Sequence, residues 1–281
     1  MIFDEFGNYI FYDGAMGTML QQRGLKPGER PDLMNISNPE AVESVHRLYV
    51  EAGSDIICTN TFISTNLNLK GAGSPEQVVS AAVEIAKRAT KGYKTKVSLD
   101  IGPTGELLEP VGDLEPEQAY EIFKEIVIIG EKCGVDFASI ETMSDIEELR
   151  VAILAIKENT KLPILATMTF EKSGYTFMGV TPEVFVEVAE SLGVAALGLN
   201  CSLEPEQMYD IAKRIADATK LPLIIKPNAG LPDSLSGEYK TGAEQFAAQM
   251  LPFKDIGARI VGGCCGTTPE YIKALKAAYG D

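Results

Sequence analysis

The chain of 281 residues has a formal net charge of -15, and 45% of its residues are hydrophobic. The length suits one large α/β domain, and the acidic balance argues against nucleic-acid binding because little would neutralise phosphates. No stretch approaches the roughly 18 apolar residues of a membrane span, and the N-terminus lacks the pattern of a signal peptide, so we expect no membrane partner.

Eight short apolar runs predict β-strands along the chain. In order they span 9–13, 55–62, 96–101, 136–141, 163–170, 195–201, 223–227 and 259–263. Amphipathic segments between them predict helices, with start signals such as Asn38-Pro39, Ser74 with Gln77, and Thr241 with Glu244. Eight strands alternating with helices predict a single α/β domain over residues 1–281, a (β/α)8 TIM barrel. The alternative is an open doubly wound sheet, although no G-x-G-x-x-G follows an early strand.

Three cysteines end predicted strands of this barrel. Cys201 ends the sixth strand, and Cys264 and Cys265 end the eighth. Barrel active sites form at the C-terminal strand ends, so these thiols should face one mouth. Three thiolates with one exchangeable position are typical of a catalytic zinc site, and the flanking glycines allow the tight turns that such a site needs. The alternative is that Cys264 and Cys265 are two small buried residues.

The remaining reactive side chains are ambiguous from sequence alone. Asp13 and Glu141 end the first and fourth strands, where each can hold a substrate ammonium group, cap a helix or be a satisfied core carboxylate. Cys58 and Cys133 are predicted to be apolar core thiols. His46 is predicted to be solvated on a surface helix, so no Ser-His-Asp triad can be assembled. Five cysteines, two of them adjacent, form a poor disulfide framework and predict a reducing compartment, by default the cytoplasm.

Seven motifs occur in order along nearly the whole chain. They are D-G-A-M-G-T at 13–18, T-N-T-F at 59–62, G-P-T-G at 102–105, E-T at 141–142, N-C-S at 200–202, P-N-A-G at 227–230 and G-G-C-C-G-T-T-P at 262–269. Together they resemble the homocysteine S-methyltransferase family, most of all the homocysteine-binding barrel of cobalamin-dependent methionine synthase. N-C-S followed by G-G-C-C is the most specific part of the resemblance.

The resemblance implies a role for each matching residue. Cys201, Cys264 and Cys265 would hold Zn²⁺ and form the catalytic centre. Asp13, the Gly14 backbone and Glu141 would bind the amino acid end of homocysteine. Asn228 would supply an oxygen ligand to the metal before the substrate arrives.

These roles describe a zinc-dependent methyltransferase that activates homocysteine as a thiolate and methylates it to methionine. The chain has no cobalamin-binding D-x-H-x-x-G motif, so a methyl-corrinoid (cobalamin) carried by another domain or protein is the expected donor. The alternatives are a sulfonium donor (S-methylmethionine or S-adenosylmethionine), another thiol acceptor, or a metal-binding regulatory barrel without turnover. The absence of tryptophan argues against a betaine donor.

Overall fold

Eight parallel strands curve into a barrel in the computed structural model of this protein, which describes residues 2–231 and 239–280. The strands are β1 (Ile10–Phe11), β2 (Ile56–Cys58), β3 (Lys96–Ile101), β4 (Phe137–Met143), β5 (Ile164–Met168), β6 (Ala196–Asn200), β7 (Leu223–Lys226) and β8 (Ala258–Val261). Each strand pairs with its neighbour in sequence, and β1 pairs with β8. A parallel bridge between Tyr12 and Ile56 joins β1 to β2 and closes the ring. The predicted (β/α)8 TIM barrel is confirmed, and the open-sheet alternative is wrong.

Helices surround the barrel. Within the described residues they are α1 (Met16–Gln21), α2 (Met34–Ser37), α3 (Pro39–Ala52), α4 (Asn66–Leu69), α5 (Pro75–Thr90), α6 (Pro116–Cys133), α7 (Ile146–Asn159), α8 (Pro182–Leu192), α9 (Pro205–Ala218), α10 (Ala243–Met250) and α11 (Pro269–Tyr279), with 3-10 turns at Pro31–Leu33 and Leu251–Lys254. The predicted starts at Asn38 and Ser74 are confirmed, because each side chain accepts a hydrogen bond from the first helical turn. The predicted Thr241 cap is wrong: Gly242 is the N-cap residue of α10.

The period-two alternation of the strands decides which side chains enter the barrel. Ile10, Ile56 and Phe137 point inward at the N-terminal end, where Phe3 stacks on Phe137 with ring centroids 6.2 Å apart. The alternate residues of the same strands pack outward against the helices in a larger core. Two or four residues beyond these apolar positions, toward the C-terminal ends of the strands, the inward side chains become polar. This polar layer forms the floor of the C-terminal mouth.

Two predictions about single residues need correction. His46 is fully buried rather than solvated, because α3 packs against α2, α5 and α11 on several sides. Neither of its ring nitrogens has a hydrogen-bond partner among the described residues, and burial lowers its pKa to about 4. Cys133 is half-buried beside Ser80 at the edge of the core, whereas Cys58 is buried as predicted.

None of the described helices is both long and apolar enough to cross a bilayer.

Candidate active site

Three cysteine sulfurs meet at the C-terminal mouth of the barrel. Cys201 follows the last residue of β6, and Cys264 and Cys265 follow β8 after two glycines. The three Sγ atoms lie within 4.8 Å of one another, and those of Cys201 and Cys265 are 3.9 Å apart. A tetrahedral zinc with Zn–S bonds of ~2.3 Å separates its sulfur ligands by about 3.8 Å, so the sulfurs suit that ion. We call these residues the cysteine cluster.

The loop after β6 holds Cys201 in an unusual backbone conformation. Cys201 has φ of 62° and Ser202 has φ of 55°, the left-handed region that costs non-glycine residues about 1–3 kcal/mol each. The Cys201 N–H donates to the Lys226 carbonyl at 3.1 Å, and the Ser202 and Thr169 hydroxyls are hydrogen-bonded at 2.7 Å. These contacts fix a turn that directs the sulfur toward β8.

The loop after β8 is fixed by close packing and by bonds to the loop after β7. A Cβ on Gly263 would lie 2.4 Å from Thr267 Oγ1, so only glycine fits there. The Cys264 N–H donates to the Pro227 carbonyl at 2.8 Å, and the Cys265 carbonyl accepts from the Ala229 N–H at 3.0 Å. Close packing therefore requires glycine at position 263, and Gly266, with φ of 80°, provides a tight turn after the cysteine pair.

Two asparagine amides contact the cysteine cluster. Asn200 Nδ2 donates to Cys264 Sγ at 3.8 Å, and the side chain of Asn228 is hydrogen-bonded to the Cys201 sulfur. Asn228 is 5% exposed, and its Oδ1 has no hydrogen-bond partner among the described residues. A buried amide oxygen without a partner is costly unless a ligand completes it. Its place beside three sulfurs fits a metal that lacks a fourth protein thiolate.

The three thiols of the cysteine cluster shift one another's pKa values. Hydrogen bonds from the Cys264 and Cys265 thiols hold the pKa of Cys201 far below its usual value. The contact with Cys201 in turn raises the pKa values of Cys264 and Cys265. A lowered pKa at Cys201 favours the thiolate form that binds a metal ion.

Carboxyl groups line the other side of the mouth. Asp13 is 4% exposed, and its Oδ2 accepts the Cys58 N–H at 2.8 Å. Burial raises the pKa of Asp13 to about 7, although the nearby Lys226 ammonium acts in the opposite direction. Glu141 stands next to a register shift in β4 between Ile140 and Met143. Such a bulge changes the direction of side chains at a strand end.

Lys226, at the end of β7, is a buried cation that sequence reasoning missed. Its Nζ donates to Glu141 Oε2 at 2.5 Å and lies 4.5 Å from the centroid of the Tyr12 ring. Burial alone would lower the pKa of Lys226, but the Glu141 carboxylate raises it well above its usual value. A lysine at the end of the otherwise apolar run LIIK could have indicated a buried cation from the sequence.

A cavity of about 330 Å³ joins the two sides of the mouth. Of the residues singled out from the sequence, Asp13, Gly14, Glu141 and the cysteine cluster all line it, while Asn228 lies behind Cys201. Cys58, which was predicted as a core thiol, also lines the cavity, as do Asp100 and Lys226. Ligand atoms of Cys58, Asp100 and Glu141 lie within 4.8 Å of one another.

Comparisons with known proteins identify relatives across the chain. A family model described as homocysteine S-methyltransferase matches residues 10–279. Methionine synthases of Mycobacterium leprae (strain TN) and Mycobacterium tuberculosis (strain ATCC 25618 / H37Rv) are each 31% identical over 291 residues, covering 95% of this chain. The chain spans 24% of the length of these relatives.

Solved structures show the same barrel. The homocysteine methyltransferase MmuM from Escherichia coli, in its metallated form, gives a TM-score of 0.84 at 22% identity and covers 99% of both chains. Its apo form gives a TM-score of 0.77 at 24% identity, covering 98% of this chain and 97% of that one. This likeness supports the fold assignment independently of the strand count.

Proposed function

The chain belongs to the homocysteine S-methyltransferase family of methyltransferases, and on that premise we propose that it methylates the thiol of homocysteine to form methionine. In this proposal Cys201, Cys264 and Cys265 bind Zn²⁺, and Asn228 supplies an oxygen ligand before substrate arrives. Asp13, Glu141 and the Gly14 backbone bind the amino acid end of the substrate. The observation that carries the proposal is the convergence of three sulfurs from β6 and β8 beside a carboxyl-lined cavity.

Homocysteine has a thiol at one end and an ammonium and a carboxylate at the other, and the cavity offers a matching surface to each. When bound, zinc would make the coordinated thiol ionise and leave it nucleophilic at neutral pH. Asp13 and Glu141 would bind the amino acid end of the substrate, and Gly14 has no side chain to block the backbone. A Cβ there would lie 2.5 Å from Thr267 Oγ1.

The chain's own residues would act by orientation. The left-handed turn at Cys201 and the close packing at Gly263 fix the sulfurs, while Glu141 and Asp13 would fix the far end of the substrate. The substrate sulfur is then held facing the open mouth. Holding reactants in near-attack geometry can supply several kcal/mol of a barrier. The sulfur forms the new S–C bond, and the electron pair of the broken donor–methyl bond leaves with the donor.

The proposed methyl donor is a methyl-corrinoid on another domain or protein. Support comes from the methionine synthases, because the chain matches only 24% of their length and the donor site would lie in the remainder. A sulfonium donor is the alternative, favoured by the negative carboxyl groups lining the cavity. The five free cysteines are consistent with a reducing compartment, and we propose the cytoplasm.

The test is zinc content and methyl transfer in matched cysteine variants. Cys201→Ala and Cys264→Ala should lose zinc and methyl transfer while the barrel remains folded, since both residues lie beyond the strand ends. Cys133→Ala is the control, because this half-buried thiol lies on α6 away from the cavity. Assays with homocysteine and either methylcobalamin or S-methylmethionine identify the donor. Full transfer by metal-free Cys201→Ala would refute the proposal.

A further inference from the structure

Asp100, the penultimate residue of β3, is a buried carboxylate in the cavity wall with an unpartnered oxygen. Its side chain is 8% exposed, and Oδ1 has no hydrogen-bond partner among the described residues. Its backbone is held on both sides: the N–H donates to Thr59 Oγ1 at 3.1 Å, and the carbonyl accepts from Thr61 Oγ1 at 2.7 Å. These bonds fix the backbone of Asp100 at the cavity wall, which its side chain lines.

The neighbours of Asp100 do not compensate its charge fully. The Cys58 sulfur and a Glu141 oxygen lie within 4.8 Å of an Asp100 oxygen. Lys226 is the only lysine or arginine among the described residues lining the cavity, and its ammonium is bonded to Glu141. Burial raises the pKa of Asp100 well above its usual value, and the Glu141 carboxylate adds to that effect.

A buried carboxylate without a full set of partners destabilises the fold, and a cationic ligand would remove the penalty. We propose that Asp100 receives the ammonium group of the acceptor amino acid, and that the Lys226–Glu141 pair makes Asp100 the stronger site for it. The inference rests on the proposed function. It makes Asp100 a specificity-determining residue that distinguishes amino acid thiols from thiols without an amine.

A second metal ion is the competing occupant of Cys58, Asp100 and Glu141. The Lys226 ammonium already contacts Glu141, and its positive charge repels a divalent cation. A primary ammonium brings a single charge and three N–H donors, which suits one unpartnered oxygen better than a second dication does.

The experiment measures thiol binding to the zinc-loaded chain by calorimetry, with two probes that differ only in the amine. Homocysteine carries it, and 4-mercaptobutanoate lacks it. We expect Asp100→Asn to weaken homocysteine binding by about 10- to 100-fold, the size of a lost charged hydrogen bond, and to leave 4-mercaptobutanoate binding unchanged. Asp100→Asn should also raise the unfolding temperature, because it removes the cost of burying an ionisable carboxyl group. A residue with a purely structural role would lower it.

Asp32→Asn is the matched control. Asp32 also lines the cavity and is buried, but its Oδ2 is satisfied by the Ser64 hydroxyl and the Ile63 N–H. That variant should lose stability without changing the preference between the two thiols. Asp100→Ser provides a second substitution if the amide does not fold.

The outcomes separate the two proposals. If the zinc-loaded parent binds neither thiol, the proposed function fails and this inference fails with it. If the parent binds homocysteine and Asp100→Asn keeps the same preference between the probes, only the role of Asp100 is refuted. A zinc content of two ions per parent chain and one per Asp100→Asn chain would show that Asp100 binds a metal ion, and would refute its role in binding the ammonium group.

Discussion

Asn200 connects three strand ends, and its removal should weaken both the fold and the cysteine cluster. The side chain is fully buried. Its Oδ1 accepts from the Thr142 N–H and from Thr167 Oγ1, both at 2.8 Å. Its Nδ2 donates to Thr142 Oγ1 at 2.8 Å and to Cys264 Sγ at 3.8 Å. One amide therefore joins β4, β5 and β6 to the loop after β8.

The magnitude follows from the groups that Asn200→Ala leaves without partners. The Thr142 N–H would lose its acceptor, whereas the Thr167 hydroxyl keeps a long contact of 3.4 Å to the Ile140 carbonyl. A buried unsatisfied group costs about 1–3 kcal/mol. Thr142 also has φ of 62°, a conformation that these bonds hold in place. We therefore expect Asn200→Ala to lower the free energy of unfolding by about 2–4 kcal/mol.

Urea denaturation of the reduced, metal-free chain measures this loss, and competition with a chromogenic chelator measures zinc affinity. Asn200→Asp should lower zinc affinity more than stability, because it keeps an acceptor for Thr142 but places a carboxylate beside Cys264. Asn159→Ala is the control: its half-buried amide makes two hydrogen bonds at the end of α7, so we expect a loss of about 1 kcal/mol. A loss below about 1 kcal/mol for Asn200→Ala, with unchanged zinc affinity, would refute the reasoning.

Two further predictions concern buried charges. Lys226→Met leaves Glu141 without its cation and should lower the free energy of unfolding, measured by urea denaturation, by about 3–5 kcal/mol. The double variant Lys226→Met with Glu141→Gln should recover most of that loss. A Lys226→Met variant as stable as the parent would contradict the prediction. The pKa of His46 is about 4 in the folded chain, below its ordinary 6.5. As the pH decreases from 6.5 to 4, the unfolded chain therefore binds a proton that the folded chain does not, and the free energy of unfolding falls. Between pH 7.5 and pH 5, His46 should lower the free energy of unfolding by about 2 kcal/mol, and this contribution should be absent from His46→Leu. If the free energy of unfolding changed equally with pH in the parent and in His46→Leu, His46 would not be the cause.

The strands could be predicted because buried parallel strands are short apolar runs between helix signals. All eight predicted runs contain or overlap a strand, but 55–62 extends well past Ile56–Cys58. The chain there leaves the ladder while its residues remain buried, so composition does not mark the boundary. The short helices α1, α2 and α4 lacked the length that makes periodicity visible.

The polar floor of the mouth was harder to predict. Lys226 and Glu141 are 85 residues apart in sequence, and barrel closure alone brings them together. His46 was misjudged because its exposure depends on which helices surround α3, and one helix's sequence does not contain that information. The cysteine cluster could be predicted because each cysteine lies at the end of a predicted strand or just after it, and strand ends share one rim.

The charges around the cavity couple its two sides, the cysteine cluster and the carboxyl groups. The cysteine cluster and the carboxyl groups of Asp13, Asp100 and Glu141 are all anionic in their ionised forms, whereas Lys226 is the one ammonium among the described residues that line the cavity. Bound cations would stabilise such a surface, and the proposed zinc and substrate ammonium would bring them to opposite ends. Each cation lowers the cost of the neighbouring negative charges, so metal and amino acid binding should strengthen each other. In the proposed reaction, the remaining negative charge would keep electron density on the substrate sulfur and so favour its attack on a methyl group.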